Sequence, residues 1–308
     1  MGIPRKLPSV GGRQAVIGVP YVWLLVFFLL PFLIVFRISL AEMDGVRVSE
    51  ILTYADGVIQ LKIKLSNYVF ITQDDLYFRT YLSSVTYAGL TTLICLAIGY
   101  PFAYFMARAK PSLQPALLML VMLPFWTSFL LRVYAWRGLL GENGWMSNLL
   151  EFLGLGHVLA ALGWIPSAGQ FMNTPFSLTV GMVYTYLPFM ILPLYSTLSK
   201  MDVRLLEAAN DLGATPWSAF WLVTVPLSKA GIIAGSMLVF IPCIGEFVIP
   251  ELLGGPQTLM IGRVLWDEFF SNNDWPMASS VAIVMILLII VPLAIFNKYQ
   301  AEAQEKAR

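Results

Sequence analysis

Six stretches of this chain are apolar over about twenty residues each, more continuous oil than a water-soluble core absorbs. They cover residues 17–36, 82–106, 113–131, 176–198, 230–253 and 277–296. An α-helix of about twenty residues crosses roughly 30 Å of hydrocarbon. Inside lipid each backbone N–H and C=O of such a run has to find its partner within the run, which makes it a helix. Of the 308 residues, 58% are hydrophobic and 12% charged, against roughly a quarter charged in soluble domains. The expected fold is an all-α polytopic membrane protein: one six-helix domain over 17–297, between an N-terminal segment 1–16 and a C-terminal tail 298–308.

Basic residues orient the spans. With both termini cytoplasmic, the inner segments hold Arg5, Lys6, Arg13, Arg108, Lys110, Lys200, Arg204, Lys229, Lys298, Lys306 and Arg308. The outer loops at 37–81, 132–175 and 254–276 are longer in total yet hold fewer lysines and arginines, as the positive-inside rule requires. Ser39-Leu40-Ala41 follows a basic start and an apolar run, and so mimics a signal-peptidase site. A cleavable signal has an apolar core of about 7 to 15 residues. This one is longer and contains Pro20 and Pro31, so a retained first span is expected, with cleavage as the other option.

The net charge is +1 and no basic run offers a phosphate-tracking face, so no nucleic-acid partner is expected. Cys95 and Cys243 both lie inside apolar runs and read as packing residues. The single His157 has no Cys or carboxylate neighbours at ligand spacing, and no metal site is expected. There is no G-x-x-x-x-G-K-[ST] phosphate loop, no G-x-S-x-G elbow and no H-E-x-x-H helix. The chain itself has no visible seat for catalysis or for ATP.

Two loops have structure of their own. In the first outer loop, "GVIQLKIKLSNY" alternates Ile59, Leu61, Ile63 and Leu65 with Gln60, Lys62 and Lys64, opened by Asp56-Gly57. That period of two predicts a half-buried strand or hairpin, either a lid over the outer helix ends or a docking surface for a soluble partner. In the second, "RVYAWRGLLGENGWMSNLLEFLGL" mixes Trp, Tyr, Leu and Arg as helices lying at a membrane surface do.

The inner loop at 199–229 is the most polar interruption of the spans. Asp202 can cap a helix with Leu205, Ala208, Ala209 and Leu212 on one face, and Gly213 falls where a left-handed residue ends it. Thr215 and Pro216 start a second helix that groups Trp217, Phe220, Trp221 and Thr224, and Val225-Pro226 stops it. Such a loop is either a connector resting among lipid headgroups or a docking element. A connector needs only a few residues, and the length spent here favours docking.

Glu207-Ala208-Ala209, three residues, Gly213, nine residues and Val223-Thr224-Val225-Pro226 resemble the EAA loop of ABC importer permeases, EAA-x3-G-x9-I-x-L-P. Val223 and Val225 stand where that pattern has Ile and Leu, which keeps the positions apolar. "TSFLLRVYAW" (127–136), "GIIAGSMLVFIP" (231–242), "GEFVIPELLGG" (245–255) and "IGRVLWDEFF" (261–270) resemble polyamine-importer permeases, the putrescine type most closely. The resemblance implies the type I ABC importer permease fold in a bacterial inner membrane. It further implies a second homologous permease, two cytoplasmic ATPase subunits that bind ATP and Mg, and a periplasmic polyamine-binding protein. On that resemblance the loop residues Glu207, Ala208, Ala209, Gly213, Trp217 and Pro226 grip an ATPase.

A dication led through hydrocarbon needs carboxylates, aromatic faces and polar atoms along its path. Glu246 lies between Pro242 and Pro250, eleven residues beyond Gly235 and hence within about 20° of it on an ideal helix. Gly231 and Gly235 form a small-xxx-small pair, so this face should meet protein. Counting from Ser228 puts Glu246 about 27 Å along the span, near its outer side. It either lines a translocation path or is a structural carboxylate that reaches headgroup water or pairs with an arginine such as Arg132. Trp126, Thr127, Tyr184 and Tyr186 are further lining candidates, as are Asp267, Glu268 and Asp274 in the last outer loop. An ion-coupled secondary transporter that uses Glu246 is the alternative to an ATP-driven importer. A scaffold without a substrate is a third.

Overall fold

The structure, a computed structural model, describes residues 10–45, 47–49, 52–55 and 58–306, and the side chains of 10–13, 52–61, 295–297 and 299–306 are left aside. The chain opens with α1 (Val10–Leu24), which runs through a π turn (Leu25–Leu29) into α2 (Leu30–Ser39). Two antiparallel strand pairs follow: β1 (Met43–Asp44) with β2 (Arg47–Val48), and β3 (Leu52–Ala55) with β4 (Val58–Leu61). Then come α3 (Ser66–Gln73), α4 (Asp75–Arg108) and α5 (Gln114–Met122), the last ending in a 3-10 turn (Leu123–Trp126). Next are α6 (Phe129–Leu140), α7 (Trp145–Phe152), α8 (Leu155–Ala161) and α9 (Pro175–Leu198). The inner loop supplies α10 (Arg204–Asp211) and α11 (Pro216–Ala219), a π turn (Phe220–Thr224) and α12 (Val225–Leu227). The chain finishes with α13 (Lys229–Ile244), α14 (Val248–Leu253), α15 (Ile261–Trp266), a π turn (Asp267–Ser271) and α16 (Trp275–Lys306).

Four helices are long and apolar enough to cross a membrane unbroken, at Gln14–Ser39, Asp75–Arg108, Pro175–Leu198 and Trp275–Ala294. Two more candidates are bent pairs: Gln114–Trp126 with Phe129–Leu140 at 88°, and Pro216–Leu227 with Lys229–Ile244 at 66°. The third apolar stretch therefore turns at Trp126, short of the expected Leu131. The fifth stops at Ile244, short of Leu253.

The fold divides into two units. The first holds the chain up to Asp74 together with Asp267–Val284. In it, the residues just after α2 are clasped by the start of α3. Ser39 Oγ shares a 2.7 Å hydrogen bond with Tyr68, Asn67 donates to the Ala41 carbonyl at 3.1 Å, and Ser280 donates to the Ser39 carbonyl at 3.0 Å. Glu42 accepts from Lys64 and, at 2.7 Å, from Ser66. The stretch that mimics a processing site is buried at both Ser39 and Ala41.

The expected strand is present but shorter than its alternation. β4 ends at Leu61, because Lys64 N–H turns back to the Leu40 carbonyl and Ser66 begins α3. Ile63 and Leu65 are exposed coil, so the half-buried face does not extend to them. The register Ala55↔Val58 leaves two residues for the turn, and Asp56-Gly57 lies outside the described residues.

The second unit holds Asp75–Trp266 and the chain from Met285. Its core is a three-helix contact of α4, α9 and α13, with Ala88, Cys95, Met106, Leu178, Met182, Met190, Val239 and Cys243 buried in it. Both cysteines are free and buried, as packing residues are. At about 1.5 Å per residue α4 is about 51 Å long, well past the hydrocarbon thickness. The start of α9 is fixed by a capping box, in which Thr174 Oγ1 accepts from Ser177 N–H at 3.2 Å and Ser177 Oγ accepts from Thr174 N–H at 3.0 Å. Gly235 lets α13 lie on α9, since a Cβ there would come within 2.8 Å of Met190 Sδ and 3.1 Å of its carbonyl oxygen.

Candidate functional site

The break after Ile244 carries a half-buried carboxylate, Glu246. Gly245, Glu246 and Phe247 are non-helical, so Glu246 sits in a turn between α13 and α14 and not on a continuous helix face. The ideal-helix angle from Gly235 therefore does not apply to it. Pro250 lacks an N–H, and Val248 and Ile249 open α14 with donors that no preceding helical carbonyl takes. Glu246 Oε1 accepts both, at 3.0 and 3.4 Å. Its Oε2 accepts from the Tyr186 hydroxyl at 2.5 Å. Gly262 of α15 backs the same turn, where a Cβ would come within 2.5 Å of the Gly245 carbonyl oxygen and 2.7 Å of that of Glu246.

Glu246 does not pair with Arg132. That guanidinium donates to the Pro124 carbonyl at 2.5 Å and lies over the Phe125 ring at 5.9 Å. At the bend this carbonyl also accepts from Thr127, at 3.3 Å through its N–H and at 2.8 Å through Oγ1. Trp126 at the same bend is 75% exposed.

Tyr186, one of the expected lining residues, is brought to Glu246. Tyr184 is two positions away on α9, hence roughly on the opposite face. It packs edge-on to Trp136 at 5.4 Å and lines an apolar cavity of about 290 Å³ with Ile98, Leu117 and Leu187. An aromatic run instead leads from the α5–α6 bend to Glu246: Phe125 against Phe189 at 5.1 Å, then Phe189 against Tyr186 at 6.1 Å. Phe189 was legible as the i+3 neighbour of Tyr186 on one helix face, whereas nothing local in the sequence points to Phe125. Beside the turn, Phe247 stacks on Trp266 at 4.5 Å and 10°, and Glu251 pairs with Arg263 at 2.6 Å.

Asp267, Glu268 and Asp274 belong to the first unit. Glu268 accepts from Asn272 Nδ2 at 2.9 Å, and Asp274 Oδ1 accepts from Met277 N–H at 3.0 Å, which makes it the cap of α16. His157 is exposed on α8. Among the described residues no group of three or more His, Cys, Asp or Glu side chains could hold a metal ion.

The inner loop forms the two short helices its pattern predicts. Asp202 Oδ1 accepts from Arg204 N–H at 3.0 Å, one residue ahead of the formal cap at Val203. Gly213 has φ +85°, with Gly213 N–H on the Asn210 carbonyl and Ala214 N–H on the Ala209 carbonyl, the paired bonds of a Schellman end. Thr215 Oγ1 accepts from Ser218 N–H at 3.2 Å, with Pro216 in the first turn. Pro226 does not stop the second helix. A π turn just before it, with Val225 N–H on the Phe220 carbonyl, absorbs the missing donor, and helix continues to Leu227. No residue of α10 is buried, and Leu212 and Trp217 are 89% and 71% exposed.

Long apolar helices, a hydrogen-bonded carboxylate at a helix break and an exposed apolar loop define a polytopic membrane protein. The profile of the binding-protein-dependent transport system inner membrane component matches residues 96–304. The chain is 38% identical over 289 residues to the spermidine/putrescine transport system permease protein PotB of Haemophilus influenzae, covering 94% of this chain and 93% of that one. It is 35% identical over 274 residues to the protein of the same name in Escherichia coli K12, covering 89% and 92%. A solved bacterial ABC transporter involved in the import of the acidic polysaccharide alginate matches with TM-score 0.66 at 16% identity, over 94% of this chain and 96% of that one, which speaks for the fold. The chain therefore belongs to the binding-protein-dependent transport system inner-membrane component family. Membership decides against the ion-coupled and scaffold alternatives.

Proposed function

We propose that this chain is the permease subunit of an ATP-driven polyamine importer, moving putrescine or spermidine inward by alternating access. The observation that carries the reading is 38% identity across 94% of the chain to a permease named for those two substrates. Six spans are kept, the third bent at Trp126 and the fifth beginning with α13 so that Pro216–Leu227 stays in the inner loop, with both termini cytoplasmic, the first span retained and the strand pairs periplasmic. A second permease, two ATPase subunits and a periplasmic binding protein complete the assembly, and ATP hydrolysis belongs to the ATPases.

Two features support a division of labour within the chain. The exposed face of α10 and α11, with Glu207, Ala208, Ala209, Gly213 and Trp217, suits a docking contact on an ATPase. Glu246 suits a way-station for an ammonium group: its oxygens are held by Tyr186 and two backbone amides, which an arriving cation can share without the carboxylate leaving its turn. The coupled motion is a rocking of packed helices between two arrangements biased by nucleotide in the ATPases.

The test is ATP hydrolysis by the reconstituted complex, stimulated by its binding protein and compared across putrescine, spermidine and an amino acid. Stimulation by a polyamine and not by the amino acid is the expected outcome. Stimulation by neither polyamine removes the substrate assignment and leaves the family assignment standing.

A further inference from the structure

The joint between the inner loop and the core is one buried residue. Helix Pro216–Leu227 meets α13 at 66°, with Ser228 between them, fully buried at φ −89° and ψ 1°. Its N–H still donates to the Thr224 carbonyl at 3.0 Å, and its carbonyl accepts from Ile232 N–H at 3.0 Å, so the backbone ladder holds on both sides and the bend is a rotation at a single position. Beyond the joint, α13 is clamped on α9 within a turn: a Cβ at Gly231 would come within 2.6 Å of Thr197 Oγ1. Before the joint, Trp217 and Leu222 are exposed. On that side Phe220 and Val225 nevertheless pack on the core, so both segments are held and the bend between them lies at Ser228.

Tyr100 of α4 reaches this joint from the side. Its hydroxyl shares a 2.8 Å hydrogen bond with Ser228 Oγ, and its ring meets Phe220 edge-on at 5.5 Å and 86°. Tyr104, one turn along α4, meets the same Phe220 ring at 6.1 Å and 85°, and Phe220 in turn carries Trp217 stacked at 6.1 Å. Tyr100 thus holds the loop helix ahead of the joint and the joint itself. Thr224 Oγ1, one turn before Ser228, is buried with no hydrogen-bond partner. Buried hydroxyls are nearly always satisfied, so this turn holds an unmet donor at the observed angle.

We propose that Tyr100 is a positioning residue that fixes the angle between the loop helices and α13, so that displacement of the loop is passed to α4, α9 and α13 and not absorbed at Ser228. The proposal rests on the reading of the loop as the ATPase contact. In the full complex in liposomes, Tyr100→Phe and Ser228→Ala are each expected to lower polyamine taken up per ATP hydrolysed by roughly five-fold, the weight of one net hydrogen bond. Complex yield and basal ATP hydrolysis stay at their unsubstituted levels. The double variant is no worse than Ser228→Ala alone, because that substitution removes the shared bond together with the Ser228 Oγ bond to the Val225 carbonyl at 3.1 Å.

A normal uptake-to-hydrolysis ratio in Tyr100→Phe, or additive losses in the double variant, overturns the proposal. A second readout does not depend on the substrate: spin labels on Leu222→Cys and Leu238→Cys, with their distance compared with and without ATP. Tyr100→Phe broadens the distance distribution and shrinks its nucleotide-driven shift. An unchanged shift overturns the proposal. If the unsubstituted complex shows no polyamine response at all, the substrate reading fails and the distance measurement alone decides on the joint.

Discussion

Tyr186 donates its phenol to Glu246 at 2.5 Å, joining the middle of α9 to the turn that separates α13 from α14. Tyr186 is buried and Glu246 half-buried, so the bond lies where water screens it little. A hydrogen bond to a charged group contributes roughly 1.5–3 kcal/mol, and about 1.4 kcal/mol is a factor of ten in an equilibrium. Glu246→Gln is accordingly expected to lower polyamine uptake about ten-fold or more in a normally assembled complex. Tyr186→Phe, which leaves the charge in place, lowers it less. Uptake of labelled putrescine and spermidine, normalised to purified complex, checks both. Unchanged transport by assembled Glu246→Gln would sink the pathway reading.

The turn that presents Glu246 depends on the absence of a side chain opposite. A Cβ at Gly262 meets two backbone carbonyl oxygens, of Gly245 and Glu246, at 2.5 and 2.7 Å, and neither can rotate away as a flexible side chain would. Gly262→Ala should cost about 1–3 kcal/mol, as overpacking typically does, and should lower the thermal unfolding midpoint of the detergent-solubilised protein. Gly138→Ala is the control, since nothing lies within 4 Å of a Cβ at that helical position. Equal midpoints for the two variants would show that the turn moves freely.

Helix-forming runs were readable because length and apolarity decide them without reference to partners. The Gly213 stop and the Thr215-Pro216 start of α11 were readable because caps are local chemistry written in adjacent residues. What escaped was set by contacts distant in sequence. The third stretch bends at Pro124–Thr127, where Arg132 joins Thr127 on the Pro124 carbonyl, although its apolarity continues to Leu131. The fifth breaks at Gly245, where Gly262 and Tyr186 hold the turn from 17 and 60 residues away in the chain. Pro226 failed to end its helix because a π turn supplied room that a strict 3.6 period does not contain. Glu246 was legible as an acid in an apolar stretch, with a path role, headgroup water or an arginine such as Arg132 all left open, whereas its bond to Tyr186 depends on packing that counting along the chain does not give.

The clasp after α2 should respond to acid. Hydrogen bonds from Lys64 and Ser66 hold the Glu42 carboxyl below the usual carboxylate range. A carboxyl whose folded pKa is depressed binds its proton more readily when released, so the clasp is fully formed above the unfolded value of about 4.3. It is lost as pH falls through the lower, folded value. Hydrogen exchange at the bonded amides of Lys64 and Val69 should be flat from pH 7 to about 5, after correction for intrinsic rates, and rise below about pH 4. Glu42→Gln should remove that rise. A wild-type acid response in the variant would place the titrating group elsewhere.

Gly213 and Ala209 offer the sharpest separation of the loop's role from the path's. Gly213 has φ +85° with nothing within 4 Å of a Cβ, so Gly213→Ala adds backbone strain and no clash. A left-handed conformation costs an L-residue roughly 1–2 kcal/mol, enough to loosen the Schellman end and the angle between α10 and α11. Ala209→Trp instead adds bulk to the face that the strain leaves untouched. Both variants should lower binding-protein-stimulated ATP hydrolysis, or the yield of ATPase co-purified with the permease. Neither should change the relative preference for putrescine over spermidine, because Glu246 and Tyr186 are not in contact with the loop. A changed preference with intact ATPase binding would mean that the loop shapes the substrate path itself, and the division of labour between the two regions would fall.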